Sequence, residues 1–173
     1  MTEKTLKVGV VLGSDSDLKI MSGCIKTLDA YGVPCELRII SAHRTPAAAA
    51  EFAKNAKSNG FGAIIAAAGK AAHLAGALAA NTTLPVIAVP VKASALEGLD
   101  ALLSSVQMPK GVPVATVAID GGDNAALLAI QILAVSDSRL ADLLEAEKER
   151  MAREVEAKDA SANELLKKVM ENR

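Results

Sequence analysis

The 173-residue sequence predicts a three-layer α/β domain built on a doubly wound parallel sheet, with a helical C-terminal extension. Short apolar runs of strand length alternate with segments in which apolar residues recur at helical spacing, the pattern of a parallel sheet covered on both faces. Charge is unevenly distributed, since residues 138–173 hold 17 of the 39 charged side chains. We therefore divide the chain into an α/β domain over residues 1–136 and a helical extension over residues 137–173.

Each of five apolar runs is a predicted strand, and a helix is predicted after each one. The strands are residues 6–12, 35–40, 61–68, 85–89 and 113–119. The helices run from about Leu18 to Gly32, from Pro46 to Gly60, from after His73 to about Asn81, over about 96–106, and from Asp123 or Asn124 to about Val135. The second helix has a particularly clear start, with Thr45 at the N-cap and Pro46 as first helical residue. This order resembles a flavodoxin-like fold.

The extension is predicted to be almost entirely helical. One helix covers about Asp137 to Ala157, and the capping-box pattern Ser161-Ala162-Asn163-Glu164 starts another. A thin apolar stripe runs along one side of the first of these helices: Leu140, Leu143, Leu144, Met151 and Val155. Because the stripe needs a surface to cover it, we expect the extension to pack on a neighbouring subunit.

Composition argues against two classes of partner. The chain has no Trp, one Tyr and two Phe, too few aromatic side chains for stacking on exposed bases. Its net charge of −1 provides no basic field for nucleic acid. The sequence has neither a signal-peptide pattern nor an apolar run of membrane-spanning length, so we expect a cytoplasmic protein without a membrane partner.

Cysteines and histidines are too few and too scattered for a metal centre. Cys24 falls in a predicted helix and Cys35 in a predicted strand, and both are interpreted as buried free thiols. The two histidines, His43 and His73, lie 30 residues apart, and no Cys-x-x-Cys pattern accompanies them. We predict no metal site.

Three polar turns follow the first three predicted strands: residues 14–17, 41–45 and 69–73. In doubly wound sheets, ligands bind beyond the carboxyl ends of the strands. We therefore expect these three turns to meet on one rim and to form the functional site. Two further loops, residues 90–94 and 107–111, are long enough to form a wall or lid of that site.

The first turn has the residue types of a phosphate site. The hydroxyls of Ser14 and Ser16, together with backbone amides at a helix start, suit a phosphate group, and Asp17 suits the hydroxyls of a ribose. Ordinary helix capping explains the same residues. The turn matches neither the Walker phosphate loop nor the dinucleotide-binding glycine pattern.

The second turn combines a proton carrier with a permanent cation. A histidine can both give and take a proton near neutral pH, and His43 lies between the hydroxyl of Ser41 and the guanidinium of Arg44. Arginine pairs with phosphate in a forked geometry. The alternative is that His43 only fills a turn, but its place at a strand end favours function.

The third turn, Gly69-Lys70-Ala71-Ala72-His73, is rich in small residues that let backbone approach a ligand closely. Lys70 is either an anion contact or a solvated side chain. His73 is either a second polar contact or the start of a helix.

Five motifs occur in an order that resembles one known family. They are Gly13-Ser14-x-Ser16-Asp17, Ser41-Ala42-His43-Arg44-Thr45-Pro46, Ala71-Ala72-His73-Leu74, Val106-Gln107-Met108-Pro109 and Asn124-Ala125-Ala126-Leu127-Leu128. Over about residues 7–135 the chain resembles the catalytic subunit of phosphoribosylaminoimidazole carboxylase, and within it the class I form, the 5-(carboxyamino)imidazole ribonucleotide mutases of purine biosynthesis. The chain departs from the family at Lys70, where many members have glycine, and at Ala75, where many have proline.

The resemblance implies a reversible move of a carboxylate from an exocyclic nitrogen to ring carbon four of an aminoimidazole ribonucleotide, without metal or organic cofactor. It makes His43 the general acid and base, and Ser14, Ser16 and Arg44 phosphate contacts. It makes Asp17 a ribose contact. It makes Ser41 a further substrate-binding residue. It also implies that a loop of small residues surrounds the base and the carboxylate: Gly69, Ala71, Ala72, His73 and Leu74. It also implies a homo-octamer in which C-terminal helices reach onto neighbours.

Three alternatives stay open at this stage. One is the class II activity, in which aminoimidazole ribonucleotide is carboxylated directly by carbon dioxide. Another is a non-catalytic phosphosugar-binding module on the same fold, which would need Ser14, Asp17 and Arg44 but not His43. The third is a purely structural oligomer. A signalling receiver domain is disfavoured, because no aspartate follows the third strand.

Overall fold

The computed structural model describes residues 6–93 and 96–171. Five strands form one parallel sheet: β1 Lys7–Leu12, β2 Cys35–Ile39, β3 Phe61–Gly69, β4 Val86–Val91 and β5 Ala115–Thr116. The helices are α1 Leu18–Ala30, α2 Pro46–Ala56, α3 Leu74–Ala79, α4 Leu99–Val106, α5 Gly122–Ala134, α6 Ser138–Ala160 and α7 Ala162–Glu171. The strand order β2-β1-β3-β4-β5 is that of a flavodoxin-like fold, which confirms the predicted class.

The sheet is buried on both faces at its central strands, which are apolar apart from Lys7 at the start of β1. Val10 belongs to the cluster beneath α1 and α5, and its neighbour Val11 belongs to the cluster beneath α2 and α3. Ile65 and Ile64 in β3 alternate in the same way. Successive strand residues point to opposite faces, so a continuous apolar run serves two cores at once.

β5 and α4 are shorter than predicted. β5 was expected over residues 113–119, but it is an edge strand entered through Pro113, which has no N–H to donate, and regular pairing covers only Ala115 and Thr116. Isolated bonds continue beyond it, from the Val117 amide to the Ala88 carbonyl. α4 begins at Leu99, because Glu97 and Gly98 both have positive φ angles, 52° and 91°.

The prediction of two buried thiols is right for Cys24 and wrong for Cys35. Cys24 lies inside the α1–α5 core, where burial raises the pKa of its thiol to about 12. Cys35 is exposed because β2 is the edge strand of the sheet and pairs only with β1. Both cysteines are free.

The C-terminal helices contact the core through the first turns of α6, which pack on α5. The Asp137 side chain caps α6 by accepting from the Leu140 amide at 3.2 Å, and Leu140 is the buried anchor of this segment. The predicted capping box at Ser161 does not form, because the Ser161 hydroxyl donates to the Lys158 carbonyl at 2.9 Å instead. No helix in residues 6–93 and 96–171 is long and apolar enough to cross a membrane.

Candidate active site

The three predicted turns meet at the carboxyl ends of β1, β2 and β3, where they line a cleft of about 610 Å³. The wall residues include nearly all of the predicted contacts: Ser14, Ser16, Asp17, Ser41, His43, Arg44, Gly69, Ala71, His73 and Leu74. Ala72 is the exception, since it is only 2% exposed and does not line the cleft. Its buried side chain packs beneath the turn and does not face the cleft.

The first turn is a short 3-10 helix, Asp15–Asp17, that leads directly into α1. Ser14 is its N-cap, and its hydroxyl accepts from the Ser16 amide at 3.3 Å and lies 2.9 Å from the Ser16 hydroxyl oxygen. The two serine hydroxyls are thus held beside each other and face the cleft. Capping and ligand binding are compatible here, because the hydroxyls remain exposed while they organise the turn.

Asp17 is the one buried acid of the cleft lining. It is 7% exposed, and the Ser16 hydroxyl lies 3.3 Å from its Oδ1. Burial raises the pKa of Asp17 above its usual value, and the hydrogen bond from Ser16 opposes that rise. A buried carboxylate with spare lone pairs is suited to accept hydrogen bonds from ligand hydroxyls.

The second turn is locked by its own side chains. Thr45 occupies the N-cap position of α2 without capping it, and its hydroxyl instead donates to the Ser41 carbonyl at 2.9 Å. The Ser41 hydroxyl accepts from the backbone amide of Arg44 at 3.2 Å and from its Nε at 3.3 Å. Ser41 therefore orients the guanidinium of Arg44, a role additional to the predicted ligand contact.

His43 and His73 touch each other in the cleft. Nε2 of His43 lies 2.8 Å from Nδ1 of His73, and the rings meet edge to face at 82°. Only one of the two facing nitrogens can carry the shared hydrogen, so in this geometry the pair holds at most one positive charge. The two imidazoles are therefore linked by one shared hydrogen bond.

The third turn approaches β4 closely. A Cβ on Gly69 would lie 3.1 Å from the Val91 carbonyl oxygen, so only glycine fits without displacing backbone. The following residue, Lys70, has a φ of 56°, and two tight bonds follow it, from the Ala72 amide to the Lys70 carbonyl and from the His73 amide to the Ala71 carbonyl, both 2.8 Å. This winding brings His73 to the start of α3 and toward His43.

Lys92 is a cleft residue that the sequence analysis did not single out. It follows β4, and residues 91–93 form a wall of the cleft, as expected from the loop at residues 90–94, of which residue 94 lies outside the described residues. The Asp120 side chain accepts from the Lys92 amide at 2.9 Å, and the Lys92 ammonium pairs with Glu97, which raises the pKa of Lys92. Applying the carboxyl-end rule to the fourth strand would have found it. Residues 107–111, the other expected wall, do not line this cleft.

No group of three or more His, Cys, Asp or Glu side chains that could hold a metal occurs in the described part of the chain. The cleft lining carries hydroxyls, two imidazoles, a buried carboxylate and three cationic residues, Arg44, Lys70 and Lys92. Such a set can bind an anionic, hydroxylated ligand and move protons on it.

Comparison with known proteins agrees with this geometry. Proteins named N5-carboxyaminoimidazole ribonucleotide mutase are 52% identical in Pyrococcus horikoshii, over 95% of this chain and 92% of theirs, and 52% identical in Methanocaldococcus jannaschii, over 91% and 98%. The crystal structure of Treponema denticola PurE matches with a TM-score of 0.82 and 28% identity, covering 89% of this chain and 96% of that one. The family model described as AIR carboxylase matches residues 7–154, which span all five strands, α1 to α5 and most of α6. The chain belongs to the AIR carboxylase family.

Proposed function

We propose that this chain is an N5-carboxyaminoimidazole ribonucleotide mutase, an isomerase that moves a carboxylate from the exocyclic nitrogen to ring carbon four of its ribonucleotide. The relatives that carry this name are about half identical over nearly the whole chain. The observation within the site that carries the proposal is the His43–His73 pair, placed on the same cleft as Ser14, Ser16 and Arg44.

The reaction needs no net proton. When the N–C bond of the carbamate breaks, carbon dioxide leaves and the exocyclic nitrogen takes up one proton. When carbon dioxide then bonds to carbon four, the ring loses one proton. A single histidine that first donates and then accepts therefore balances both steps, and we assign this role to His43. A closed cleft keeps carbon dioxide beside the ring between the steps.

The remaining residues hold the substrate. We assign the phosphate to Ser14, Ser16 and Arg44, with Ser41 orienting the guanidinium, and the ribose hydroxyls to Asp17. The base and carboxylate lie against the third turn, where Gly69, Ala71, His73 and Leu74 face the cleft and Ala72 supports it.

We also infer a cytoplasmic homo-octamer. Residues 1–136 contain the whole cleft lining, and the extension over residues 137–173 supplies surfaces for neighbouring subunits. Large apolar side chains are exposed on α6 and α7 in the single chain: Met151, Val155, Leu166, Val169 and Met170. Such side chains are better buried against another subunit than left in water.

The direct test is turnover of freshly made N5-carboxyaminoimidazole ribonucleotide, with chelator and without ATP, by wild type and His43→Asn. We expect wild type to form the ring-carboxylated product, and His43→Asn to bind the nucleotide but lose about 10²–10⁴-fold in turnover. Full activity of His43→Asn would remove its assigned role.

A second assay separates the related activities. If wild type ignores the carbamate but carboxylates aminoimidazole ribonucleotide in bicarbonate, the chain is a class II carboxylase. If a folded wild type binds nucleotide and catalyses neither reaction, it is a binding module.

A further inference from the structure

Lys70 holds a backbone conformation that lysine disfavours. Its φ of 56° lies in the left-handed region, which glycine enters freely and which costs a residue with a Cβ on the order of 1 kcal/mol. Among residues 6–93 and 96–171, two other non-glycine residues have positive φ, Glu97 and Asp120, and each of these has a side-chain partner at the loop around Lys92. A lysine at such a position suggests that its side chain has a use.

Lys70 lines the cleft and carries a positive charge. Within the described residues no carboxylate lies within ion-pair distance of it, whereas Lys92, which also lines the cleft, is paired with Glu97. The two lysines directly follow Gly69 and Val91, which are aligned partners in β3 and β4. Arg44 is likewise free of a carboxylate partner among these residues and contacts only the Ser41 hydroxyl and its own turn. The cleft thus offers two uncompensated cations, Arg44 and Lys70.

The proposed substrate has two anionic groups, a phosphate and the carboxylate that moves. The phosphate is already assigned to the serine hydroxyls and Arg44. The carboxylate must start and end beside the proton carrier His43, and Lys70 belongs to the same tight turn as His73, the residue that His43 touches. With Arg44 assigned to the phosphate, Lys70 remains as the cation available to the carboxylate.

We propose that Lys70 is a substrate-binding residue that holds the transferred carboxylate in both the carbamate and the ring-carboxylated product. This inference rests on the proposed mutase function and adds a charged contact to it. The ammonium stabilises the carboxylate at both ends of its path.

The test compares the binding of two nucleotides by calorimetry: aminoimidazole ribonucleotide, which lacks the carboxylate, and its ring-carboxylated product. We expect Lys70→Gly and Lys70→Gln to weaken binding of the carboxylated nucleotide about 10-fold, the loss of one charge-assisted hydrogen bond, and to leave the other nucleotide's affinity within about 2-fold. Lys70→Arg should retain most of the wild-type preference. Lys54→Gln, an exposed lysine in the last turn of α2 and outside the cleft, is the matched control and should change neither.

Lys70→Gly also separates function from structure, since it relieves the positive φ and should unfold at the same temperature as wild type or higher. Equal weakening for both nucleotides would assign Lys70 to another part of the ligand, and unchanged binding in both variants would leave it no role; either result overturns the inference. If wild type binds neither nucleotide, the proposed function itself fails. If wild type binds both and turns over the carbamate while Lys70→Gly keeps full preference, only the Lys70 assignment falls.

Discussion

Arg44 is positioned before any ligand arrives. Its backbone amide and its Nε both donate to the Ser41 hydroxyl, so the guanidinium loses little freedom when it meets an anion. We expect Arg44→Ala to weaken binding of the nucleotide by about 1.5–3 kcal/mol, the range for a hydrogen bond to a charged group. Titration calorimetry measures this, with the dephosphorylated nucleoside as control. Unchanged nucleotide affinity would place the phosphate elsewhere.

We expect Asp17 to lower the stability of the folded protein at neutral pH while it contributes to nucleotide binding. Because burial raises its pKa, the folded state resists ionisation, and the wild type loses stability as pH rises from the ordinary carboxyl range through the raised value. Asp17→Asn lacks this loss, and its amide oxygen can still accept from Ser16. We therefore expect the variant to be more stable than wild type at neutral pH, with the difference vanishing in acid below the ordinary carboxyl range.

Urea unfolding at several pH values measures the effect, and ligand titration at neutral pH should find weaker nucleotide binding by Asp17→Asn. A stability difference that is constant with pH would contradict the account, because it would not come from ionisation.

Residue types and strand ends identified most of the site in advance, but side-chain geometry was beyond them. The carboxyl-end rule brings the turns after β2 and β3 to either side of β1, yet whether His43 and His73 touch depends on rotamers and on the tight winding after Lys70. The same winding buries Ala72, which a motif alone presents as equal to its neighbours.

At the scale of elements, the start of α4 depends on Gly98. A Cβ there would lie 2.7 Å from Ile119 Cγ2 and 3.2 Å from the Lys92 Cα, in addition to the strain of its φ of 91°. Gly111 is a matched control, with a φ of 96° and nothing within 4 Å of an added Cβ. We expect Gly111→Ala to cost about 1 kcal/mol of unfolding free energy, and Gly98→Ala about 1–3 kcal/mol more, from the clash.

Denaturant unfolding of both variants measures the difference, and an equal cost would show that the segment around Ile119 adjusts freely. Because Lys92 is one of the clashing residues and lines the cleft, Gly98→Ala should also reduce turnover, whereas Gly111→Ala should not.

The existence of the strands was predictable because β3 and β4 are apolar throughout and β1 is apolar apart from Lys7. The starts of α1 at Leu18 and α2 at Pro46 were predictable from their start signals. The predicted ends of an element were wrong where the chain leaves the core. β5 has one neighbour and a proline at its entry, so its seven apolar-rich positions support only two paired residues. β2 shows the same limit, since edge position and not side-chain type decides that Cys35 is exposed.

At the scale of the whole molecule, we expect folding of the chain not to depend on the proposed assembly. Leu140 is the buried residue of α6, and none of the α7 side chains that the structure describes belongs to a core cluster, so we expect the α/β domain to fold without the last helix. By contrast, the described side chains of α7 include three exposed apolar ones: Leu166, Val169 and Met170. A chain ending at Ala160 should therefore keep its secondary structure and lose oligomeric contacts.

We expect light scattering to give wild type a mass of eight 17.7-kDa chains, and the truncated chain a smaller assembly with an unchanged circular dichroism spectrum. A full-length variant with Leu166, Val169 and Met170 changed to serine is the companion test, because it keeps the helix and removes only its apolar face. If both variants remain octameric, α7 does not hold subunits together, and the exposed side chains of α6 or the β2 edge must do so. If the truncated chain dissociates but the serine variant does not, the backbone and polar groups of α7 make the contact, not its apolar stripe.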